Sequence, residues 1–330
     1  MVKKTAQHSR LKKAFQPPSN EDGFVLVTVL LVIAILLPLI LAFSSKVQIN
    51  LLQAENFLNS VQAVRLARSG VEGAIGLLRS DDPAYDTRKD TWALDFPAVA
   101  IGEGKVEVLI DDEDGKIPIN QLVLANGVDI NRDVEKRLRA LISRLGGRPE
   151  VVDALIDWID TNEDVTGTEG AEEEYYKDLG YHSKNGPIDS LDEFSLIKGF
   201  DKELLVTKKF LDYVTAMATD GKININTAPV EVLYAVLGTQ TTALAQPLNE
   251  GDIEDLVRHR EEHEFKAAKD VNEVVKVSTA QAGNLAGLIK VNSAFFTVHS
   301  KCLLGKVVYN AETTLRRDGD TIITVSWREF

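Results

Sequence analysis

Cysteine is almost missing from this chain. Cys302 stands alone, so no disulfide braces the fold from within, and the residue reads as a small core side chain on a strand. Positive charge is also short. The 37 lysines and arginines face 50 aspartates and glutamates, for a net charge of −13. A protein that sheathes nucleic acid needs a basic surface, so this balance argues against that class. The signatures of catalysis are absent too: no H-E-x-x-H, no G-x-S-x-G and no glycine-rich phosphate loop. His182, His259, His263 and His299 lie scattered. His259 and His263 are four apart, a spacing that suits a zinc pair on one helix face, but RHREEHE reads more plainly as a solvated charged face. The chain is expected not to be an enzyme.

What the chain does have is one long apolar run, Phe24 to Phe43, FVLVTVLLVIAILLPLILAF, broken only by Thr28 and Pro38. An α-helix of about 20 such residues spans a ~30 Å hydrocarbon layer. Ahead of it lies a polar head with Lys3, Lys4, Arg10, Lys12 and Lys13 against Glu21 and Asp22. The positive-inside rule keeps that head in the cytoplasm and carries the acidic remainder across the membrane. A signal peptide's apolar core is only about 7–15 residues long, so the length argues for a retained helix. Ala42-Phe43-Ser44 keeps a cleaved secretory signal open, and a plain uncleaved anchor is a further alternative. Beyond the run, Val47, Leu51, Ala54, Leu58, Val61, Val64, Ala67, Val71, Ile75 and Leu78 recur at steps of three and four, an amphipathic stripe. The spacing predicts one helix of about 55 residues, roughly 80 Å long, ending at Asp81-Asp82-Pro83.

After that helix, Lys105–Ile110 (KVEVLI) reads as a strand, Asp114-Gly115 as a turn and KIPIN as the return strand. Residues 295–327 hold three strand runs, FFTVHSKCL, VVYNAETTLR and TIITVSW, parted by Leu304-Gly305-Lys306 and Asp318-Gly319-Asp320. They make an antiparallel meander. Residues 121–292 read as mostly helical. Asn131 caps a helix that Gly146-Gly147 stops. Pro149 opens the next, which runs into LIDWID. Ser190 and Glu193 form a capping box. Thr227 and Pro229 start a helix that Gly238 ends, a short hairpin is expected around Asp220-Gly221, and two or three short helices follow between Asp252 and Gly287. Strands at both ends with helices between them give an α+β domain interrupted by a helical insertion.

Two segments carry possible chemistry. The loop after Trp158, IDTNEDVTGTEGAEEEYY, alternates Asp160, Asn162 and Asp164 as an EF-hand loop begins. The match then stops, with Val165 at the sixth position and Ala171 at the twelfth. Glu172, Glu173 and Glu174 follow just behind. A long acidic loop inside a compact domain needs something to order it. A structural calcium, held by Asp160, Asn162, Asp164, Glu172 and Glu173, meets that need, and a solvated acidic loop is the alternative. The second segment, KININTAPVEVLYAVLG, resembles the opening of a helix-hairpin-helix module. Its hairpin GTQTTAL lacks the usual second glycine, and Glu250, Asp252, Glu254 and Asp255 flank it. A structural helical pair without DNA contact is the plainer reading.

At this point a family resemblance emerges over nearly the whole chain. Gly23, Phe24 and the apolar run are similar to the class III signal of type IV pilins and type II secretion pseudopilins. A prepilin peptidase cuts such chains after the glycine and methylates the new N-terminus. Most members carry glutamate five residues after the cut. Here that position is Thr28, and lack of the acid is typical of the minor pseudopilin K. ARSGVEGAIGLL at 67–78, LIDWIDTNEDV at 155–165, GAEEEYY at 170–176, SLDEFSLIKGFD at 190–201 and NINTAPVEVLYAVLG at 224–238 agree with that family. Two features depart from it: Glu21-Asp22 stand before Gly23 where a basic residue is usual, and the leader is long. In a pilus spine the acid pairs with a neighbour's N-terminal amine, since a lone charge in the apolar layer is costly. A subunit at the extreme tip has no neighbour above it, so Thr28 avoids an orphan carboxylate. Simple drift of the position is the other reading.

The resemblance implies an α+β, pilin-like fold. It would have a long N-terminal helix, membrane-spanning at its start, an antiparallel sheet and a large inserted α-helical domain. In these terms residues 1–23 are a cleaved cytoplasmic leader and 24–43 the transmembrane part of the helix. Residues 44–120 with 293–330 form the pilin-like domain, and 121–292 the inserted domain with its acidic metal loop. The implied role is a tip subunit of the type II secretion pseudopilus that initiates assembly and supports export across the outer membrane. It would sit in the inner membrane of a Gram-negative envelope, single-pass, with a large periplasmic domain. The implied partners are the minor pseudopilins I and J, the prepilin peptidase and the inner-membrane secretion platform, with no nucleic acid, and the family binds calcium in the GAE-containing loop. The alternative is a membrane-anchored competence or DNA-uptake protein using the helix-hairpin-helix-like segment, against which net charge and the acidic flanks speak.

Overall fold

The computed structural model describes residues 20–94 and 98–330, with side chains from Gly23 onward. Most of the expected leader, residues 1–19, lies outside the described residues. A single helix, α1 (Asn20–Ser80), carries the apolar run and the amphipathic stripe with Pro38 inside it. Residues up to Asn59 form one unit and Ser60–Phe330 another. In the first unit the side chains of Phe24–Phe43 are exposed throughout. The helix is long and apolar enough to cross a membrane.

The second unit continues with two strands, β1 (Val99–Ile101) and β2 (Gly104–Asp112), and a two-residue strand β3 (Ile117–Pro118). Then come α2 (Arg132–Arg144), α3 (Val152–Ile159), α4 (Glu173–Asp178), β4 (Val214–Thr215), β5 (Ile223–Asn224) and α5 (Val230–Leu237). After these lie α6 (Glu250–Glu262), α7 (Val271–Val274), α8 (Thr279–Leu288) and β6 (Ile289–Lys290). The chain finishes in β7 (Phe295–Leu304), β8 (Val307–Asp318) and β9 (Thr321–Glu329). The sheet runs β1-β2-β7-β8-β9, antiparallel throughout. Asp112 at the end of β2 lies in register with Phe296 near the start of β7, so the chain leaves and rejoins the sheet at adjacent strand ends. Everything between is the helical block. This is the α+β, pilin-like fold expected from the sequence.

Of the expected stripe on α1, Ala67, Val71 and Leu78 meet the sheet, and the small residues Ala63 and Ala74 join them. Ala63, Ala67, Val71, Ala74 and Leu78 are buried against Val106, Ile110, Phe296, Val298, Cys302, Leu304 and Leu315. Val47, Leu51, Leu58 and Val61 are exposed, and Val64 and Ile75 sit only at the flank. Small residues win because the helix lies close to the strands. A Cβ at Gly70 would collide with the Ser300 hydroxyl and Val106, and Ser300 Oγ donates to the Ala67 carbonyl at 2.8 Å. Cys302 is buried on β7.

Other expectations for short elements are corrected. KIPIN does not return along β2. Glu113–Gly115 forms a 3-10 turn, and β3 pairs in parallel with β4. The cause is Asp114, whose Oδ2 accepts the backbone N–H groups of Ala294 (2.6 Å) and Phe295 (3.0 Å). That ties β7 to the place a return strand would take. The hairpin at Asp220-Gly221 is a turn, with Gly221 at φ +78, but its arms diverge: β4 joins β3, and β5 joins β6 in parallel. The caps read from the sequence are present. Asn131 Oδ1 accepts from Asp133 and Val134 N–H, and Ser190 with Glu193 forms the capping box. The helix it opens, Leu191–Leu196, is 3-10.

Candidate metal centre

The acidic loop is organised by a helix that the sequence shows as merely apolar. Every residue of α3 is buried, and Asp153 and Asp157, one turn apart, point at the loop. Asp153 Oδ2 accepts the N–H groups of Thr168 (3.0 Å) and Glu169 (3.3 Å), and its Oδ1 pairs with Arg139 at 2.5 Å. Asp157 accepts from Thr166 at 3.0 Å and from Ala171 at 2.7 Å. Two carboxylates therefore string the loop backbone across one helix face, because each accepts donors that would otherwise be lost. The backbone passes so close that glycine is required. A Cβ at Gly167, where φ is +58, would strike the Asp153 carboxylate, and one at Gly170 would strike Asp157 and the Thr166 carbonyl.

Along this path Asp160 and Glu172 are buried, near enough for the charge of one to act on the other. Asp160 is 1% exposed and Glu172 5%. One oxygen of Asp160 and both of Glu172 are buried without a hydrogen-bond partner among the described residues. Burial, then the charges of Asp157, Asp160, Glu163 and Asp164, pushes Glu172 up to about 8. Burial and Asp157 push Asp160 up to about 6. Buried carboxylate oxygens without donors are costly, and a cation is the group that satisfies several at once. Asn162 Oδ1 accepts the Asp164 N–H at 2.7 Å on the adjoining turn, where Asp164 is exposed. Glu173, expected among the donors, is engaged elsewhere: it binds His182 Nδ1 at 2.5 Å and the Ser183 N–H at 3.1 Å. Asp153 and Asp157 were missed as part of the site. The signal for them is present, since Asp153, Asp157 and Asp160 fall at i, i+4 and i+7, one face of an otherwise apolar helix.

A tighter group of carboxylates, Asp81, Asp86 and Asp90, has oxygens within 4.8 Å of one another, but a protein cation already serves it. Arg317 Nη2 lies 2.9 Å from Asp86 and 3.5 Å from Asp81, while Asp90 accepts from the Thr87 N–H and hydroxyl.

The helix-hairpin-helix-like segment is α5, its connection and α6. In such modules the hairpin amides bind phosphate. Here the Thr242 and Ala243 N–H groups donate to Asp133 of α2 at 2.7 and 3.0 Å. An internal carboxylate occupies the phosphate's place. The NTAP stretch serves the block's junction with the sheet. Asn224 Nδ2 donates to Ser293 Oγ at 2.8 Å, Thr227 Oγ1 to Asp112 Oδ2 at 2.5 Å, and Arg88 to the Thr227 carbonyl. The rings of His259 and His263 lie 5.7 Å apart, and His259 packs on Phe265 at 4.9 Å.

Comparison with known proteins agrees with this architecture. The family described as Type II secretion system (T2SS), protein K matches residues 115–219, a stretch that includes α2, α3 and the acidic loop. A type II secretion system protein K from Pseudomonas aeruginosa is 27% identical over 326 residues, covering 94% of this chain and 93% of its own length. One from Aeromonas hydrophila is 23% identical over 321 residues, covering 91% and 94%. A chain in the crystal structure of the GspK-GspI-GspJ complex from enterotoxigenic Escherichia coli superposes with a TM-score of 0.64 at 18% identity. It covers 84% of this chain and 99% of that one, a likeness of fold. The family match lies inside the helical block and the similarity to protein K sequences runs from end to end, and together they support reading this chain as a minor pseudopilin K of type II secretion.

Proposed function

We propose that this minor pseudopilin acts at the tip of the type II secretion pseudopilus as a non-enzymatic subunit that starts assembly with the I and J pseudopilins. The observation that carries the tip position is Thr28. Its hydroxyl donates to the Phe24 carbonyl at 2.9 Å within its own helix, so it asks nothing of a neighbour above. In this reading a prepilin peptidase cuts between Gly23 and Phe24 and methylates Phe24. The Phe24–Phe43 segment holds the chain in the inner membrane beside the secretion platform, and the domain beyond it lies in the periplasm. Residues 121–292 act as an inserted helical domain. The likeness of fold to a chain of the solved GspK-GspI-GspJ complex, over 84% of this chain, supports the I and J partners. Affinity-tagged full-length chain, coexpressed with I and J and extracted in detergent, is expected to bring both down in equimolar amounts. Capture of the major pseudopilin alone, with I and J left behind, would overturn the tip reading.

The acidic loop in this reading holds a calcium ion. Asp160 and Glu172 supply buried oxygens, Asn162 and Asp164 lie on the adjoining turn, and Asp157 keeps the backbone in place. Calcium suits many oxygen donors on such a loop, whereas magnesium keeps its waters and demands a tight octahedron. Zinc finds no cysteine nearby. The ion would supply structural cross-linking, by offsetting carboxylate charge that burial leaves unmatched.

A further inference from the structure

One row of charges on the sheet's outer face, away from α1, runs across three strands and ends on the helical block. His299 of β7 faces Asp111 of β2 (Nε2 to Oδ2, 3.4 Å) and Glu312 of β8 (Nδ1 to Oε2, 3.3 Å). Glu312 accepts from Arg328 of β9 through Nη2 (2.5 Å) and Nε (3.1 Å). The same guanidinium reaches over to the block, where Nη1 meets Asp192 Oδ2 at 2.7 Å and Ser190 Oγ at 2.9 Å. Signs alternate along the row, and His299–Glu312 and Glu312–Arg328 are directly opposed pairs in the strand register, the geometry in which opposite charges attract across strands. Its flanking carboxylates raise His299 to about 9, so the row is charged at neutral pH.

Between this row and the block lies a cleft of about 790 Å³, lined among others by Leu109, Asp111, Thr297, Thr314, Leu211 and Met217. Its two ends are fastened differently. At the junction end the contacts are buried: Asn224 is 0% exposed, Asp114 1% and Ser293 5%. There Asp112 accepts from Thr227 and Ser293, while Asp114 binds Lys290 and the Ala294 and Phe295 amides at the entry to β7. At the other end the fastening is in water, with the side chains of Arg328 44% and Asp192 80% exposed. Exposed ion pairs are weak and screened by salt, and buried ones are screened much less.

We propose that the block is hinged on the Asp112–Asn224–Thr227–Ser293 junction and strapped at its far side by Arg328 to Asp192 and Ser190, so that releasing the strap opens the cleft over the outer sheet face. The strap closes the side of the cleft that the covalent connections leave free. Release costs one exposed ion pair and one hydroxyl contact, while the hinge keeps its buried bonds.

Hydrogen exchange read by mass spectrometry on the full-length chain in detergent tests this. Arg328→Ala and Asp192→Asn are each expected to raise exchange roughly threefold, the scale of an exposed pair. The rise should appear in Ser190–Leu196 of the block, in Ser326–Glu329 and in Thr297–Ser300. Protection at Ile223–Asn224 and Ser293–Phe296 should hold. The parent should show the same pattern between 0.01 M and 1 M salt, where the screening length falls from roughly 30 Å to 3 Å. If Arg328→Ala loosens only its own strand, or if the junction loosens in step, there is no strap. Should a variant fail to fold, the salt comparison on the parent decides. Unchanged exchange in Ser190–Leu196 overturns the proposal.

Discussion

Arg317 shows how a single side chain decides what an acidic cluster is for. It is 8% exposed, lies over the Phe296 ring at 4.7 Å and brings its charge to Asp86 and Asp81. Asp86 is fully buried and also accepts the Ser293 N–H at 2.7 Å. Burial outweighs the pull of Arg317 and pushes Asp86 up to about 7. A carboxyl raised in the folded state holds its proton there more tightly than in the unfolded chain. Its contribution to stability is full below the unfolded value near 4 and is lost as pH rises through about 7. The melting-temperature advantage of the parent over Asp86→Asn is therefore expected to be largest at pH 4–5 and to shrink by roughly 5 °C by pH 8. Parallel curves for the two proteins across that range would mean that Arg317 fully compensates the buried charge.

At the scale of elements, α3 and the loop behind it act as one unit, and the metal reading is tested on that unit. Binding to the folded state alone stabilises by mass action, about 2.7 kcal/mol at a hundredfold excess over Kd, or roughly 5 °C in a domain of this size. Chelator is expected to lower the melting temperature by about that much, with calcium restoring it better than magnesium. The Asp160→Ala, Glu172→Ala double variant should lose the response. Gly170→Ala should lose it too, because the added Cβ displaces the loop from Asp157. A parent melting curve that ignores both chelator and calcium reduces the loop to a solvated face. Part of this unit was legible in the sequence. Asp160 and Glu172 stand out in an acidic run, and local rules placed the Asn131 cap, the Ser190 capping box and the three C-terminal strands, since each depends on neighbours in sequence. The spacing of Asp153 and Asp157 is visible in the sequence, but their role is not, since they accept amides from residues 9–16 positions away. KIPIN and the Asp220-Gly221 arms misled for the same reason. Strands of two residues take their partners from long-range packing, here from Asp114 fastening β7. On α1 the stripe gave Ala67, Val71 and Leu78 of the sheet-facing side, while Ala63, Gly70 and Ala74, selected by close approach, carry little apolar signal.

For the whole molecule, the question is what α1 meets above Phe24. The Thr28 hydroxyl is satisfied by its own helix. The exposed faces of Phe24–Phe43 are apolar. A carboxylate introduced at residue 28 would stand in that layer, at a cost of about 2.5–3.5 kcal/mol near the centre of a bilayer unless an amine pairs with it. A subunit below another has that amine within reach, and a tip subunit does not. Thr28→Glu is thus expected to cut the number of pseudopili started when the major pseudopilin is overproduced, by tenfold or more on the scale of that cost. Thr28→Val, which removes only a self-satisfied hydroxyl, should start as many as the parent. Sequencing both variants from Phe24 separates an assembly defect from a failure of processing. If Thr28→Glu is cut normally and starts pseudopili at the parental rate, some neighbour supplies the amine, and this chain does not sit at the tip.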